Sequence, residues 1–536
     1  MARERTDAFL TDVIATRAER NPDFRVLTFE CAGKQDETRT YAELRERANS
    51  LAAELIARGL ERGDRFGLML RNHPEFVEAM IAASTTGTVF VPIDPRSRGE
   101  KLAYTLRNSG CKGIVAADYA LGELERVRDG LPDLGFVLAL ESGEDGAPPL
   151  TEFREVESLD EVLAKPAATV DVRVQSPSDP FQIIYTSGTT GDPKGVVMEA
   201  GRYGGFSAFG KFVFGFTDEE KLYTGLSLTH GNAQAVTLAS AIVLELPAVI
   251  SRRFTKSRLW DICRKHGCTT FSLLGGMATA IYSEPEKPND ADNPLRMVTS
   301  AGMPHAIWED FEKRFDLKIL EWYGAVEGGL AFKPIGQGPI GSFGKPGPGL
   351  ELKILDENDR ECAPGELGEI CSRPASGAAP RVEYHGNPDA SEKKTHGGWL
   401  RSGDIGHTDE DGWLFFDYRK GGGIRHNGDF INPGFVEKVI AEHPDVADVF
   451  VYGVPAKSGA PGEKDVVAAI VPIEGRTLDP NAVFAVCARG LEPNFVPSHL
   501  QVVDAIPKTA SEKPQERFLA ERFAPGGEGI HTREGA

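Results

Sequence analysis

Apolar residues return at helical spacing early in the chain, at Leu44, Ala48, Leu51, Leu55 and Ile56. The preceding Thr40-Tyr-Ala-Glu43 has the form of a capping box, which predicts a helix opening at that point, and Gly59 is placed to stop it. Gly63-Asp64 then leads into a short apolar run over 66–70 that reads as a strand. A helix through 76–83, a strand over 89–93, a helical stretch around 104–107 and a strand over 114–117 continue the series. Strand and helix alternate, which predicts parallel sheets covered by helices.

Further along, the pattern changes character. Residues 141–180 read as an irregular, acidic surface crossing between subdomains, and 181–334 as a second α/β region. From Gly336 to Gly349, six glycines and three prolines break regular structure, so a β-rich region is expected from there to about Asp417. The last section reads helix (434–442), strand (446–452), strand (466–471), helix (481–491), a small α+β unit set off by Gly421-Gly422-Gly423. The expected fold class is therefore α/β: a large N-terminal region of several subdomains with parallel sheets and a β-rich part, then a small mobile α+β C-terminal domain. The boundary is placed between 1–419 and 420–536. No internal repeat is evident.

Composition narrows the function classes. The chain has 536 residues, with 40% apolar and 26% charged residues and a formal net charge of −20. That charge argues against nucleic acid or an anionic membrane as the main partner. Any phosphate-bearing ligand must be held by local groups, against the global field. Seven cysteines, odd in number and without a CxxC pair, fit reduced thiols in a cytoplasmic protein better than a disulfide framework or zinc site. The first twenty residues lack the apolar stretch of a signal peptide, and no segment offers the roughly 20 apolar residues of a membrane span.

The most informative segment is Ile184-Tyr-Thr-Ser-Gly-Thr-Thr-Gly-Asp-Pro-Lys-Gly195. A strand runs into a loop of hydroxyl residues and glycines, Thr186, Ser187, Gly188, Thr189, Thr190 and Gly191, with Lys194 near its end. Glycines let backbone N–H groups approach an anion, hydroxyls add donors and the lysine adds charge, so the loop suits a polyphosphate. It is not a Walker loop, because Asp192 and Pro193 stand between the last glycine and the lysine.

This loop resembles the phosphate-loop signature of the adenylate-forming superfamily, which includes acyl-CoA synthetases, and the resemblance runs from Thr40 to Lys513. It implies roles for further residues. Glu321-Trp-Tyr-Gly-Ala-Val-Glu327 is similar to the YGxTE segment, so Trp322, Tyr323 and Gly324 are expected beside the adenine and Glu327 on Mg²⁺. Val326 replaces the usual hydroxyl residue. Asp404, in Trp399-Leu-Arg-Ser-Gly-Asp404, is expected to accept both ribose hydroxyls, and Arg419 to contact the nucleotide. Gly421 falls on the hinge position. Pro507-Lys-Thr-Ala-Ser-Glu-Lys513 resembles the C-terminal PKTxxGK motif, making Lys513 the lysine for the substrate carboxylate and α-phosphate, with Glu512 in place of the usual glycine. His230, Asn232, Gln234, Ser300, Ala301, Gly302, Gly328 and Gly329 are expected around the acyl group, and Arg425 near CoA.

The function so implied is ATP-dependent activation of a carboxylic acid as acyl-adenylate, then transfer to coenzyme A. ATP, Mg²⁺ and CoA are the expected ligands, with catalysis by Lys513, Glu327 and Lys194. The polar pocket candidates favour a compact aromatic or polar organic acid. Transfer to an amine or a carrier-protein thiol, and a non-catalytic nucleotide-binding relative, stand as alternatives, and a homodimer is an open oligomeric state.

Overall fold

The computed structural model describes residues 4–166, 169–186, 193–420, 424–426, 429–431, 433–457, 464–491, 493–509 and 512–533. The helix foreseen after Thr40 spans Tyr41–Ala57. The Thr40 hydroxyl accepts from the Glu43 amide at 3.2 Å, and the Glu43 carboxylate accepts from the Thr40 amide at 2.7 Å, so both members of the capping box are present. The strands Arg65–Met69, Val89–Pro92 and Cys111–Ala117 follow, with the helices Pro74–Thr86 and Gly99–Ser109 between them.

These strands belong to a seven-stranded sheet, parallel throughout except for its last pair. That pair is the hairpin of Pro180–Thr186 with Lys194–Glu199. Helix Pro74–Thr86 is buried along its whole length. Its two carboxylates need partners in that setting, and Arg39 and Arg47 each reach both Glu75 and Glu78.

Residues 141–180 depart from the irregular crossing expected of them. Val156–Ser158 is a parallel strand of the seven-stranded sheet, and Ser158 caps a short helix, Leu159–Leu163, by accepting from the Glu161 amide. Leu159, Val162 and Leu163 are buried in the main core.

The second region is one continuous thirteen-stranded sheet. Parallel strands such as Thr270–Leu274, Met297–Ala301 and Lys318–Ala325 form its middle. The β-rich part is not separate from them. Lys318–Ala325 pairs antiparallel with Gly328–Lys333, which pairs with Ser342–Pro346, and the ladder carries on to Leu400–Thr408 and Leu414–Arg419. The C-terminal unit has its own four-stranded sheet, led by Val446–Pro455 and Lys464–Pro472, and its own apolar core around Val436, Val466, Ile470 and Leu500. Among the described residues, no helix is long and apolar enough to cross a membrane.

Candidate active site

A cleft of about 3580 Å³ is lined by both large sheets and by the C-terminal unit. Chain reversals deliver its polar groups. The hairpin of the seven-stranded sheet brings Thr186 opposite Lys194, and the Thr186 hydroxyl donates to the Lys194 carbonyl at 3.4 Å. The Lys194 ammonium lies 5.6 Å from the centre of the Tyr384 ring. Ser187, Gly188, Thr189, Thr190 and Gly191 lie outside the described residues, as does Gly421.

The reversal between Lys318–Ala325 and Gly328–Lys333 presents Glu327. Gly328 and Gly329 have φ of 135° and 77°, backbone that side-chain-bearing residues rarely adopt, so the turn requires glycine. The Glu327 carboxylate accepts from the Tyr384 hydroxyl at 2.8 Å and stands 3.7 Å from the Lys394 ammonium, both on Oε1.

Asp404 and Arg419 face each other across neighbouring antiparallel strands. Arg419 Nη1 lies 3.3 Å from Asp404 Oδ1, and the Tyr323 hydroxyl donates to Asp404 Oδ2 at 2.6 Å. Asp404 is largely buried, yet each of its oxygens has lone-pair capacity left for a ligand hydroxyl.

Lys513 comes from the C-terminal unit. Its loop is tight: the Thr509 amide donates to the Lys513 carbonyl at 2.8 Å, and the Lys513 amide to the Thr509 hydroxyl at 3.2 Å. Lys508 fastens the loop to the Val446–Pro455 strand through Asp448 at 2.5 Å. Glu512 has φ of 60°, in the left-handed region. The loop packs on the helix Gly275–Tyr282 so closely that a Cβ on Gly276 would stand 3.1 Å from the Glu512 carbonyl oxygen. Solvent reaches Lys513 along the cleft, but surrounding protein and the Arg419 charge lower its pKa, while Asp404 and Glu327 oppose that shift. Burial, and then the Lys513 charge, push His230 down to about 4, so its imidazole is neutral near pH 7.

Residues 14–379 match the family model of the AMP-binding enzyme, and residues 436–513 match that of the AMP-binding enzyme C-terminal domain. The chain belongs to the AMP-binding enzyme family. It is 28% identical over 485 residues to the crotonobetaine/carnitine–CoA ligase of Salmonella typhimurium, covering 88% of this chain and 91% of the relative. It is 30% identical over 459 residues to the medium/long-chain-fatty-acid–CoA ligase FadD17 of Mycobacterium marinum, covering 85% of each. In fold it resembles the anthranilate CoA ligase AuaEII solved with anthranoyl-AMP, with a TM-score of 0.84, 20% identity and 96% of each chain covered. A benzoate CoA ligase of Burkholderia xenovorans LB400 superposes with a TM-score of 0.80 and 22% identity, over 95% of this chain and 99% of that one.

In this AMP-binding enzyme the cleft wall includes Thr186, Lys194, His230, Gln234, Ala301, Gly302, Trp322, Tyr323, Gly324, Glu327, Gly328, Gly329, Asp404, Arg419 and Lys513. Two pocket candidates behave otherwise than expected. Ser300 is fully buried within its strand and does not reach the cleft wall. Gln234 does reach the wall, but its amide donates back to the Leu228 carbonyl at 2.8 Å, so that nitrogen is committed to the fold. Arg425 lies in the short strand Ile424–His426 of the C-terminal unit.

Tyr384, Lys394, Arg202 and Glu321 also line the cleft, and sequence reasoning passed over them. Tyr384 reaches Glu327 because the extended segment 382–385 docks on the Lys194–Glu199 strand, through Val197 N to Glu383 O at 2.9 Å and His385 N to Gly195 O at 2.7 Å. Nothing periodic in the sequence marks that docking.

Glu321 anchors a cleft wall from behind. Its carboxyl accepts from the Gly302 amide at 2.5 Å and the Met303 amide at 3.2 Å. Burial pushes it up to about 8 from an ordinary value of 4.5, although those amides and Lys333 pull the other way. The folded enzyme therefore binds a proton that the unfolded chain gives up between those two values, and Glu321 costs stability progressively as pH rises through that window. Glu321→Gln keeps an acceptor and removes the titration. Its melting midpoint relative to the parent should rise by about 1–3 °C between pH 5 and pH 8.5. A difference that stays constant with pH would show that Glu321 does not titrate there.

Proposed function

We propose that the chain is an ATP-dependent carboxylic acid–CoA ligase. In the first half-reaction a carboxylate oxygen attacks the α-phosphorus of ATP, the bond to the β-phosphate oxygen breaks, and pyrophosphate leaves. In the second, the CoA thiolate attacks the acyl carbon of the mixed anhydride and AMP departs with the bonding electrons. The observation that carries this reading is Lys513. A lysine of the C-terminal unit stands within electrostatic reach of Asp404, Arg419 and Glu327 from the large region, and of neutral His230. Negative charge spreads between carboxylate and α-phosphate during adenylation, and an ammonium already positioned there lowers that barrier.

The other polar groups take roles around it. Thr186 and Lys194, at the two ends of the hairpin loop, hold the phosphates. Trp322, Tyr323 and Gly324 flank the base, and Asp404 accepts from the ribose hydroxyls while Arg419 and Tyr323 keep it oriented. Glu327 fits a metal that arrives with the nucleotide. Among the described residues no three His, Cys, Asp or Glu side chains converge as a cage, so a metal held by Glu327 would take its other oxygens from phosphate and water. When bound there, Mg²⁺ supplies charge neutralisation on the phosphates. The large region, 1–419, and the mobile part, 420–536, reorient about Gly421 between the half-reactions. The seven cysteines are all free thiols, which suits a reducing, cytoplasmic setting.

For the acid, the cleft favours a compact aromatic or polar compound. Phe206 and Phe209 line it together with His230 and Asn232. A panel of carboxylic acids, assayed for AMP formation that depends on both ATP and CoA, tests the whole reading. AMP and a thioester mass are expected with at least one acid of that class. Steady-state AMP formation that does not depend on CoA, or acyl transfer to amines alone, would refute the ligase assignment.

A further inference from the structure

Arg202 stands with its side chain exposed on the wall of the cleft. It closes the short turn Ala200–Arg202, between the strand Lys194–Glu199 and the helix Tyr203–Ala208, and lines the cleft beside Phe206 and Phe209. Its Nη1 meets only weak acceptors, the Met198 sulfur at 2.9 Å and the Val326 carbonyl at 3.5 Å. Arg39, Arg47 and Arg314 are by contrast matched to carboxylates, Arg39 and Arg47 to Glu75 and Glu78 and Arg314 to Asp290. Among the described residues no carboxylate lies within ion-pair distance of Arg202. Surrounding protein pulls its pKa down to about 10, the direction expected of an uncompensated cation.

A second polar group lies across Val326 from it. A Cβ on Gly231 would stand 3.5 Å from Val326 Cγ2, which brings the His230–Gln234 segment against the same turn whose carbonyl faces Arg202. In that segment Asn232 is only 6% exposed, and neither atom of its amide has a hydrogen-bond partner. Buried amides are nearly always partnered, so this one is kept for something. The cleft thus has an amide without a partner and, among the described residues, a cation without a carboxylate, both close to Val326 and beside aromatic side chains. The nucleotide-facing charges form a different set: Arg419, Asp404 and Glu327 act on Lys513, and Arg202 is not among them.

We infer that Arg202, aided by Asn232, binds a second anionic group on the acid, so that the substrate is a compact dicarboxylate or an acid of similar charge. This rests on the ligase reading above. A planar guanidinium whose Nε and Nη2 meet no acceptor among the described residues offers a carboxylate two parallel donors. The same charge repels an acid bearing a quaternary ammonium and offers nothing to a plain hydrocarbon tail, so substrate choice here parts from what the names of the carnitine and fatty-acid relatives describe.

The test uses the full chain with ATP, CoA and acids in matched pairs: glutarate with valerate, terephthalate with 4-methylbenzoate, and 4-trimethylammoniobutanoate as the cationic member. The parent should favour each diacid over its neutral twin by roughly 10–100-fold in kcat/KM, the range of one charge-assisted contact. Arg202→Gln should erase most of that ratio while the neutral twins and the KM for ATP stay within about threefold. Arg202→Lys should fall between, keeping charge without the fork. Equal use of the twins by the parent, or an equal fall for both in Arg202→Gln, overturns the inference. A raised KM for ATP with the acid ranking unchanged also overturns it, by assigning the guanidinium to phosphate. Should no acid yield CoA-dependent AMP, the ligase reading fails by itself. Calorimetric titration of the parent and Arg202→Gln with glutarate then decides the subsite separately, and binding unaffected by the substitution refutes it.

Discussion

Lys513→Ala should reduce pyrophosphate release by about 10²–10³-fold, the scale expected when a preorganised charge is removed from a developing anion. The same variant should convert chemically made acyl-AMP and CoA to thioester at close to the parent rate. The asymmetry follows from where the lysine comes from. Its loop belongs to the C-terminal unit and touches the large region through a packing contact at Gly276, with no covalent tie there. If that unit turns away before thioester formation, the ammonium leaves with it. Arg419 and Asp404 stay behind on adjacent strands of the large sheet. Gly421→Pro, which fixes φ near −65°, should give the reverse pattern if it holds the adenylating arrangement: acyl-AMP forms, and thioester does not. Equal loss of both half-reactions in Lys513→Ala would contradict the two-arrangement reading.

Asp404→Ala should lower kcat/KM for ATP by about 100-fold and shrink discrimination against 2′-deoxy-ATP, because a site built to accept a hydroxyl loses most against a ligand without one. Two effects combine. The carboxylate that would accept from ribose is gone, and its partners lose their anchor. The Tyr323 hydroxyl, at 2.6 Å, and Arg419, at 3.3 Å, both face that one side chain. Asp404→Asn separates the effects, since the amide oxygen still accepts from Tyr323 while the charge opposite Arg419 disappears. A ratio of ATP to 2′-deoxy-ATP unchanged in both variants would remove Asp404 from the ribose.

Local signals in the sequence carried well where the cause was itself local. The Thr40 capping box needs four consecutive residues, and the helix Tyr41–Ala57 begins at the expected point. The βα alternation and the helices Pro433–Ala441 and Pro480–Gly490 of the C-terminal unit were legible for the same reason. Val156–Ser158 was not, because three residues show no alternation and become a strand only by pairing with Val137–Leu140. The site divides similarly. Glu327, Asp404, Arg419 and Lys513 sit in recognisable strings, and the fold brings them to one cleft. Tyr384 and Lys394 reach Glu327 from a stretch without pattern. Ser300 was misjudged because adjacent residues of one strand face opposite ways, so Ala301 can line the cleft while its neighbour is enclosed.

Glu512 bears on the timing of the proposed cycle. Left-handed backbone costs a residue with a side chain roughly 1–2 kcal/mol, and the related motif carries glycine where this chain carries Glu512. In that cycle the penalty applies while the loop is pressed on Gly276 and would lapse if the departed loop relaxes. Since about 1.4 kcal/mol is a tenfold change in an equilibrium, the docked loop is handicapped by close to that factor relative to a glycine-bearing one. On the proposed cycle the chain would be geared for letting go, with a short stay of Lys513 in the cleft and a longer second arrangement.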